Sequence, residues 1–414
     1  MISLLKSKFF LYYLLPLSVL VDCINGYLGG VMHISSPLGM IYRFSVLCIL
    51  FPCLLRVRAI FIDRIFFILY AFFIFSCPLW VLLCGANLLD EINVFVRILY
   101  PLLIISYFNK YGSSFSKDFL IHLVVNYGFI ISLLLLFSFF TGIGLKSYGD
   151  DYGFGVKFFF DAANDLGLVL IFSLMFCGIL CCRRYSPFSL IKFICVALGC
   201  FLLGSRVGMF GSLLLVSFFL FYYFVVDTCK TSQGRLRKSI FLIMFFVLFL
   251  WKGIPLILAV YNSFDAYTLD KFTVESITSP RGGLVDAAIL HIENFELMDL
   301  LIGRGSGSLY SFVAYYVESG SDARYVEADY YESIGSYGYL FGGFVLFPYA
   351  FYVFKSLSFW IKYKRTFDFF LFLLIAFFFV IALIAGHAVK NVMIPPIYAI
   401  TIYLMCARDE STSH

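Results

Sequence analysis

The feature that most constrains this chain is the recurrence of apolar stretches of about 20 residues, separated by short polar connections. A helix of that length, rising about 1.5 Å per residue, crosses a hydrocarbon core roughly 30 Å thick. Only 13% of the residues are charged, whereas soluble domains have a charged share of about a quarter. The sequence therefore excludes a soluble domain and predicts an all-α polytopic integral membrane protein.

The apolar stretches predict about twelve transmembrane helices, which places both termini on one side of the membrane. The predicted spans cover residues 9–28, 38–55, 65–83, 92–108, 119–140, 162–180, 188–203, 207–226, 240–260, 330–354, 367–385 and 392–406. This pattern divides the chain into three parts. Residues 1–260 hold spans one to nine, residues 261–329 form one long polar loop, and residues 330–414 hold spans ten to twelve and a short tail.

The distribution of Lys and Arg predicts the orientation. Most of the 30 basic residues fall in the connections on the side of the N-terminus, beginning with Lys6 and Lys8. Cytoplasmic loops carry an excess of Lys and Arg. We therefore expect both termini to be cytoplasmic and the long loop to be periplasmic or extracellular.

The long loop holds most of the chain's outward-facing polar residues. Ser279 and Pro280 are typical of a helix start, and apolar residues recur at helical spacing, so a single amphipathic helix is predicted over residues 281–301. His291 and the acidic residues of this helix are expected on solvated faces. Gly303, Gly305 and Gly307 indicate the end of the helix, because no Gly-Lys-Ser/Thr follows them as it would in a phosphate loop.

Basic residues on the outward side are candidates for binding a charged substrate. Arg206 lies in a tight turn between two spans, Arg281 opens the loop helix and Arg304 follows it, while His387 and Lys390 lie in the last outward turn. A guanidinium binds phosphate through paired hydrogen bonds and stays charged. Pairing with loop carboxylates remains an alternative for Arg304, and a structural role remains one for His387.

Two carboxylates near the end of the loop, Glu327 and Asp329, are candidates for a general base. They precede the tenth span, where partial burial can raise the pKa of a carboxyl group toward the working pH of a base. The alternative is an acidic helix start, which is favourable to any helix dipole. The pattern leaves both open.

Several short motifs carry a resemblance to a known family. They are Phe-Asp-Ala-Ala-Asn-Asp-Leu-Gly at residues 160–167, Gly-Ser-Arg ending at Arg206, Ser-Pro-Arg ending at Arg281, the glycine turn at residues 302–307, Glu-Ala-Asp-Tyr from Glu327, and Gly386-His387. With its span layout, the chain resembles a Wzy-type O-antigen or capsule repeat-unit polymerase, in the superfamily that includes the O-antigen ligases.

The resemblance implies a GT-C-like glycosyltransferase of the bacterial inner membrane that serves lipopolysaccharide or capsule biosynthesis. It would move a glycan from undecaprenyl diphosphate onto the terminal sugar of a new lipid-linked repeat unit, without a metal or other cofactor. Arg206 and Arg281 would hold the diphosphate, and Glu327 or Asp329 would deprotonate the acceptor hydroxyl. A chain-length regulator and a flippase are implied as partners, and nucleic acid is not.

Two other functions remain as alternatives. An O-antigen ligase would transfer the glycan to lipid A-core, but ligases usually carry a histidine where this chain has Glu327 and Asp329. A flippase or transporter for lipid-linked glycans would suit Arg43 and Arg97, which lie inside spans. The arginine-to-glycine repeat of some polymerases is missing, since the eleventh residue after Arg206 is Ser217.

Overall fold

A computed structural model of the chain describes residues 2–34, 36–56, 60–85, 87–147, 155–183, 186–221, 282–317, 323–326, 328–384, 386, 388–391 and 393–406. These residues are mostly helical. They divide between two compact units, one comprising Met1–His122 with Arg281–His414 and the other Leu123–Pro280.

The first unit brings together the two ends of the chain. Its N-terminal helices are α1 (Ile2–Leu5), α2 (Lys8–Leu14), α3 (Pro16–Gly30), α4 (Leu38–Arg56), α5 (Phe61–Cys84) and α6 (Leu88–Tyr111). Its C-terminal helices are α11 (Gly282–Glu293), α12 (Leu297–Ile302), α13 (Ser306–Tyr316), α14 (Asp329–Tyr363), α15 (Thr366–Ile384) and α16 (Ile394–Cys406). Helix α6 packs against α4, α5, α13 and α16, so it forms the centre of this unit.

The second unit contains most of α7 (Lys117–Thr141) together with α8 (Ala163–Arg183), α9 (Pro187–Leu202) and α10 (Arg206–Phe221). Two short strands, β1 (Leu145–Lys146) and β2 (Val156–Phe158), pair antiparallel after α7. Helix α8 is buried over most of its length and packs against α9 and α10.

Local sequence explains why the central helix begins and ends where it does. The Asn87 side chain accepts a hydrogen bond from the Leu89 N–H at 3.0 Å, as an N-cap residue does. Asp90 and Glu91 occupy the first turn and Lys110 the last. These charges have the signs that the helix dipole favours at each end.

The membrane character predicted from the sequence is confirmed in its coarse form. Among the described residues, six helical stretches are long and apolar enough to cross a membrane: Lys8–Gly30, which comprises α2 and α3, Phe61–Cys84, Lys117–Thr141, Ala163–Arg183, Asp329–Tyr363 and Thr366–Ile384. Four shorter apolar helices lie at other predicted spans. The ninth predicted span lies outside the described residues, and both the count of twelve and the loop layout stay predictions.

The prediction of one long helix over residues 281–301 is wrong. Helix α11 ends at Glu293, and α12 begins after Glu296, whose backbone N–H donates to Asp299 Oδ2 at 3.1 Å. That bond starts a new helix. Gly303 (φ 70°) ends α12 as predicted, while α13, which begins at Ser306, was not foreseen.

Helix α14 is interrupted near its start, where the sequence predicted an unbroken span. Gly338 has φ 70° and ψ 177°, a conformation that glycine adopts at no steric cost. Residues 329–337 therefore form a short helical segment ahead of the long one. This segment carries the polar residues of the candidate site.

Candidate functional site

Asp329 anchors the start of α14 to the turn between α15 and α16. Its Oδ2 accepts hydrogen bonds from the backbone N–H groups of Ala388 and Val389, both at 2.9 Å. The side chain is buried. A carboxylate that satisfies two backbone donors is well suited to fix this turn, which the sequence could not show because the partners lie far along the chain.

One turn after Asp329, Glu332 forms a buried ion pair with Lys390. The Lys390 Nζ lies 2.8 Å from Glu332 Oε1, and the two side chains are 9% and 6% exposed. The Tyr310 hydroxyl of α13 donates to the same carboxylate oxygen and accepts from Lys390 Nζ at 3.1 Å. We call Glu332, Lys390 and Tyr310 the ionic cluster.

The electrostatics of the cluster keep the Tyr310 hydroxyl protonated. Burial, followed by the negative charge of Glu332, raises the pKa of Tyr310 well above its ordinary value. The phenol is therefore a hydrogen-bond donor at neutral pH. Lys390 and Glu332 cancel one another's charge, as buried charges must unless they are otherwise paired.

The turn that carries Lys390 is held at both ends. The Gly386 N–H donates to the Ile381 carbonyl at 2.9 Å where α15 ends. At the other end, Asn391 Oδ1 accepts from the N–H groups of Met393 and Ile394, at 2.8 and 3.1 Å, and so caps α16. The ammonium group of Lys390 is thus presented from a fixed backbone.

Arg304 pairs with a loop carboxylate, Asp299, which is the alternative that the sequence left open. Its guanidinium lies 2.6 Å from Asp299 Oδ2, donates to the Asn294 carbonyl at 3.1 Å and lies over the Phe295 ring. The side chain remains 30% exposed. Arg304 therefore joins α11 to the end of α12, and as placed it is an ion-paired residue.

His291, which was expected in solvent, is buried against Phe295 and Phe312. Its side chain is 3% exposed. Burial, followed by the charge of Arg304, lowers the pKa of His291 to about 4. The expectation failed because the apolar face of α11 is set by α13 and α14, which pack against it.

A second polar cluster, which the sequence did not single out, surrounds Glu91. Its Oε1 accepts from the Gly307 N–H at 2.7 Å, at the N-terminus of α13. Trp80 donates through Nε1 to the Gly303 carbonyl at 3.2 Å, and its ring lies 5.5 Å from that of Tyr337. An acidic residue in the first turn of a helix is ordinarily explained by the helix dipole, so only its burial could have identified Glu91 as unusual.

The predicted site residues thus fall into separate groups. Asp329 and Lys390 lie at one place, whereas Arg304 belongs to its own ion pair. Arg206 is the first residue of α10 in the second unit, where Gly204 (φ 68°) and Ser205 make the predicted tight turn. Arg281, Glu327 and His387 lie outside the described residues.

No group of three or more His, Cys, Asp or Glu residues that could hold a metal ion occurs in the described ranges. Comparison with protein-family models, with curated proteins and with solved structures gave no match.

Proposed function

We propose that this protein is a repeat-unit polymerase, a glycosyltransferase that moves a polyprenyl-diphosphate-linked glycan onto a new lipid-linked repeat unit. The observation that supports it best is the ionic cluster of Glu332, Lys390 and Tyr310. Ionisable residues buried in a membrane protein are costly and are functional-site candidates by default. A cation held in a low-dielectric site suits a substrate that carries a diphosphate.

In this proposal Lys390 contacts the diphosphate. The substrate's oxygens would replace Glu332 as the partner of the Lys390 Nζ, which now lies 2.8 Å from that carboxylate. Tyr310 would stay as a protonated donor beside both. For Arg206 and Arg281 the proposal keeps the diphosphate-binding role that the resemblance implies, because the leaving diphosphate needs positive charge when its bond to the sugar breaks.

The two candidate bases, Asp329 and Glu327, have different roles in the proposal. Asp329 Oδ2 already accepts two backbone hydrogen bonds, so its role in the proposal is to hold the Lys390 turn. Glu327 keeps the role of general base. Arg304, with Asp299 beside it, stabilises the connection between α11 and α12.

The proposal also includes the cellular setting. The protein lies in the bacterial inner membrane with cytoplasmic termini, and the ionic cluster faces the periplasm. Basic residues that dominate the N-terminal side support this orientation. A flippase would supply the lipid-linked units, and a chain-length regulator would limit the product.

A flippase is the second candidate, because Arg43 in α4 is buried. A cation within a membrane helix suits a path for a charged lipid headgroup. The same experiment separates this candidate from the first.

The test is the surface glycan pattern of a gene deletion complemented with the wild type, Lys390→Met or Lys390→Arg at matched protein levels. We expect Lys390→Met to reproduce the single-repeat product of the deletion, and Lys390→Arg to restore part of the ladder. The matched control is Lys110→Met, which breaks an equally buried pair with Asp63, 2.6 Å long with side chains 3% and 0% exposed. It should retain the ladder.

Three outcomes would contradict the proposal. A full ladder with Lys390→Met would remove the ionic cluster from the site. Long lipid-linked polymer with no surface glycan in the deletion would indicate a ligase. Unpolymerised units trapped on the cytoplasmic face would indicate a flippase.

A further inference from the structure

Glu91 is a buried carboxylate that uses only one of its two oxygens in hydrogen bonds to the described residues. The side chain is fully buried, and Oε1 binds the Gly307 N–H at 2.7 Å. Within the described ranges, Oε2 has no hydrogen-bond partner. By contrast, Asp63 pairs with Lys110, and Glu332 pairs with Lys390.

Two buried hydroxyl groups near Glu91 also lack a hydrogen-bond partner among the described residues. Ser306 is the first residue of α13, next to Gly307, and the ring of Tyr337 lies 5.5 Å from that of Trp80. Neither hydroxyl has a hydrogen-bond partner in the part of the chain that the structure describes. A buried polar group without a partner costs about 1–3 kcal/mol, so three such groups at one place require an explanation.

The surroundings favour a polar ligand with an apolar edge. A Cβ at Gly305 would lie 3.0 Å from Glu91 Oε1 and 3.2 Å from the Trp80 ring, so the glycine lets the backbone approach both. Trp80 and Tyr337 contribute aromatic surface. Binding sites for small polar molecules commonly combine apolar and aromatic walls with a few placed polar groups.

We propose that Glu91, Ser306 and Tyr337 form a subsite for a sugar hydroxyl of the glycan acceptor. Glu91 Oε2 accepts the hydroxyl hydrogen, and the Ser306 and Tyr337 hydroxyls complete the hydrogen bonds of the sugar oxygen. The positive N-terminus of α13 stabilises the carboxylate while the site is empty. This inference rests on the proposed function, because it identifies the ligand as part of that reaction's acceptor.

The chemistry of the three groups favours a hydroxyl over an anion. A carboxylate repels phosphate, whereas it accepts a hydrogen from a sugar hydroxyl in a charge-assisted bond. The subsite is therefore distinct from the ionic cluster, whose free ligand group would be the ammonium of Lys390. One position serves the diphosphate and the other the acceptor sugar.

The first measurement uses purified full-length protein in lipid nanodiscs and lipid-linked repeat units extracted from the deletion strain. Glu91→Gln keeps an amide oxygen for the Gly307 N–H but places a donor toward the subsite. We expect its KM for the acceptor to rise about 10- to 100-fold, the range of a charge-assisted bond. Tyr337→Phe and Ser306→Ala should raise the KM about 2- to 10-fold, with little change in kcat.

Thermal unfolding provides the control for a purely structural role. Removing a buried hydroxyl without a partner should leave the unfolding temperature unchanged or raise it. Tyr349→Phe removes another buried hydroxyl that has no partner among the described residues, several turns further along α14. It should leave the KM for the acceptor unchanged.

A binding measurement separates this inference from the proposed function. Repeat-unit oligosaccharide released from the lipid carrier should raise the unfolding temperature of the wild type more than that of Tyr337→Phe. If the wild type binds the oligosaccharide in this way but polymerises nothing, the proposed function fails and the subsite stands. If the wild type polymerises while Tyr337→Phe and Ser306→Ala match it in KM and in binding, the three groups hold only water and the subsite is refuted.

Discussion

Gly303 and Gly338 lie so close to neighbouring backbone that replacing either by alanine should destabilise the protein. Both have φ 70°. A Cβ at Gly303 would lie 2.2 Å from the Ser336 carbonyl oxygen, and one at Gly338 would lie 2.7 Å from the Leu301 carbonyl carbon. The opposing atoms belong to the backbone, so no side-chain rotation relieves the overlap.

The cost has two parts. With ψ near 180°, this positive φ is essentially restricted to glycine and costs an L-residue about 1–3 kcal/mol, and overpacking of a close contact typically costs about 1–3 kcal/mol. Gly303→Ala and Gly338→Ala should therefore each lower the free energy of unfolding by about 2–6 kcal/mol. The loss is large against the total stability of a typical domain, about 5–15 kcal/mol.

Substitutions at two other glycines separate the conformational cost from the overpacking cost. Gly85 has φ 65° with nothing within 4 Å of a Cβ, so Gly85→Ala should carry only the conformational cost. Gly343 lies inside α14 with an ordinary backbone and open space, and Gly343→Ala should be neutral or stabilising by up to about 1 kcal/mol.

Thermal unfolding of the four variants in one detergent measures the order. Gly303→Ala and Gly338→Ala should unfold at the lowest temperatures, Gly85→Ala next, and Gly343→Ala at or above the wild type. If Gly303→Ala and Gly338→Ala were no less stable than Gly85→Ala, the close approach of α12 to the break in α14 would be refuted.

The ionic cluster, His291 and the membrane orientation can each be tested separately. Lys390→Met and Glu332→Gln each leave a buried charged partner uncompensated, and each should lower the free energy of unfolding by about 3–5 kcal/mol. In a thermal-unfolding cycle, the double variant should lower it by less than the sum of the two single variants. Strict additivity would contradict the ion pair. His291 has a pKa of about 4 in the folded state against 6.5 in the unfolded chain, so the unfolded chain binds more protons between these values and stability should fall as pH drops from about 6.5 to about 4. His291→Phe should flatten that part of the pH–stability curve, and an unchanged slope would exclude His291 as its source. In a cysteine-free background, a membrane-impermeant maleimide should label Leu89→Cys in intact cells but not Lys362→Cys, and the reverse result would invert the proposed orientation.

Much of the local structure could be predicted because it depends on neighbouring residues. The apolar stretches gave helices such as Phe61–Cys84 and Thr366–Ile384 within a few residues of the predicted 65–83 and 367–385. The tight turn before Arg206 and the helix end at Gly303 were also foreseen, since glycine permits the backbone conformation that each requires. Asp329 was correctly placed at a helix start.

The failures occurred where one local signal overrides another or where packing overrides a local signal. Residues 281–301 have one helical period, yet the capping interaction of Glu296 with Asp299 divides them into two helices. His291 has a polar side chain and was expected in solvent. Neighbouring helices cover it, because they bury the face of α11 on which it lies.

By itself, the sequence determined that this protein enters a membrane as a set of apolar helices, since backbone in hydrocarbon must satisfy its own hydrogen bonds, and each apolar stretch does so as a helix. Only the tertiary structure decided which polar side chains meet. Tyr310 and Lys390 are 80 residues apart, and Glu91 and Gly307 are 216 apart. Such contacts depend on how whole helices pack, and the residues next to each partner carry no signal of the other.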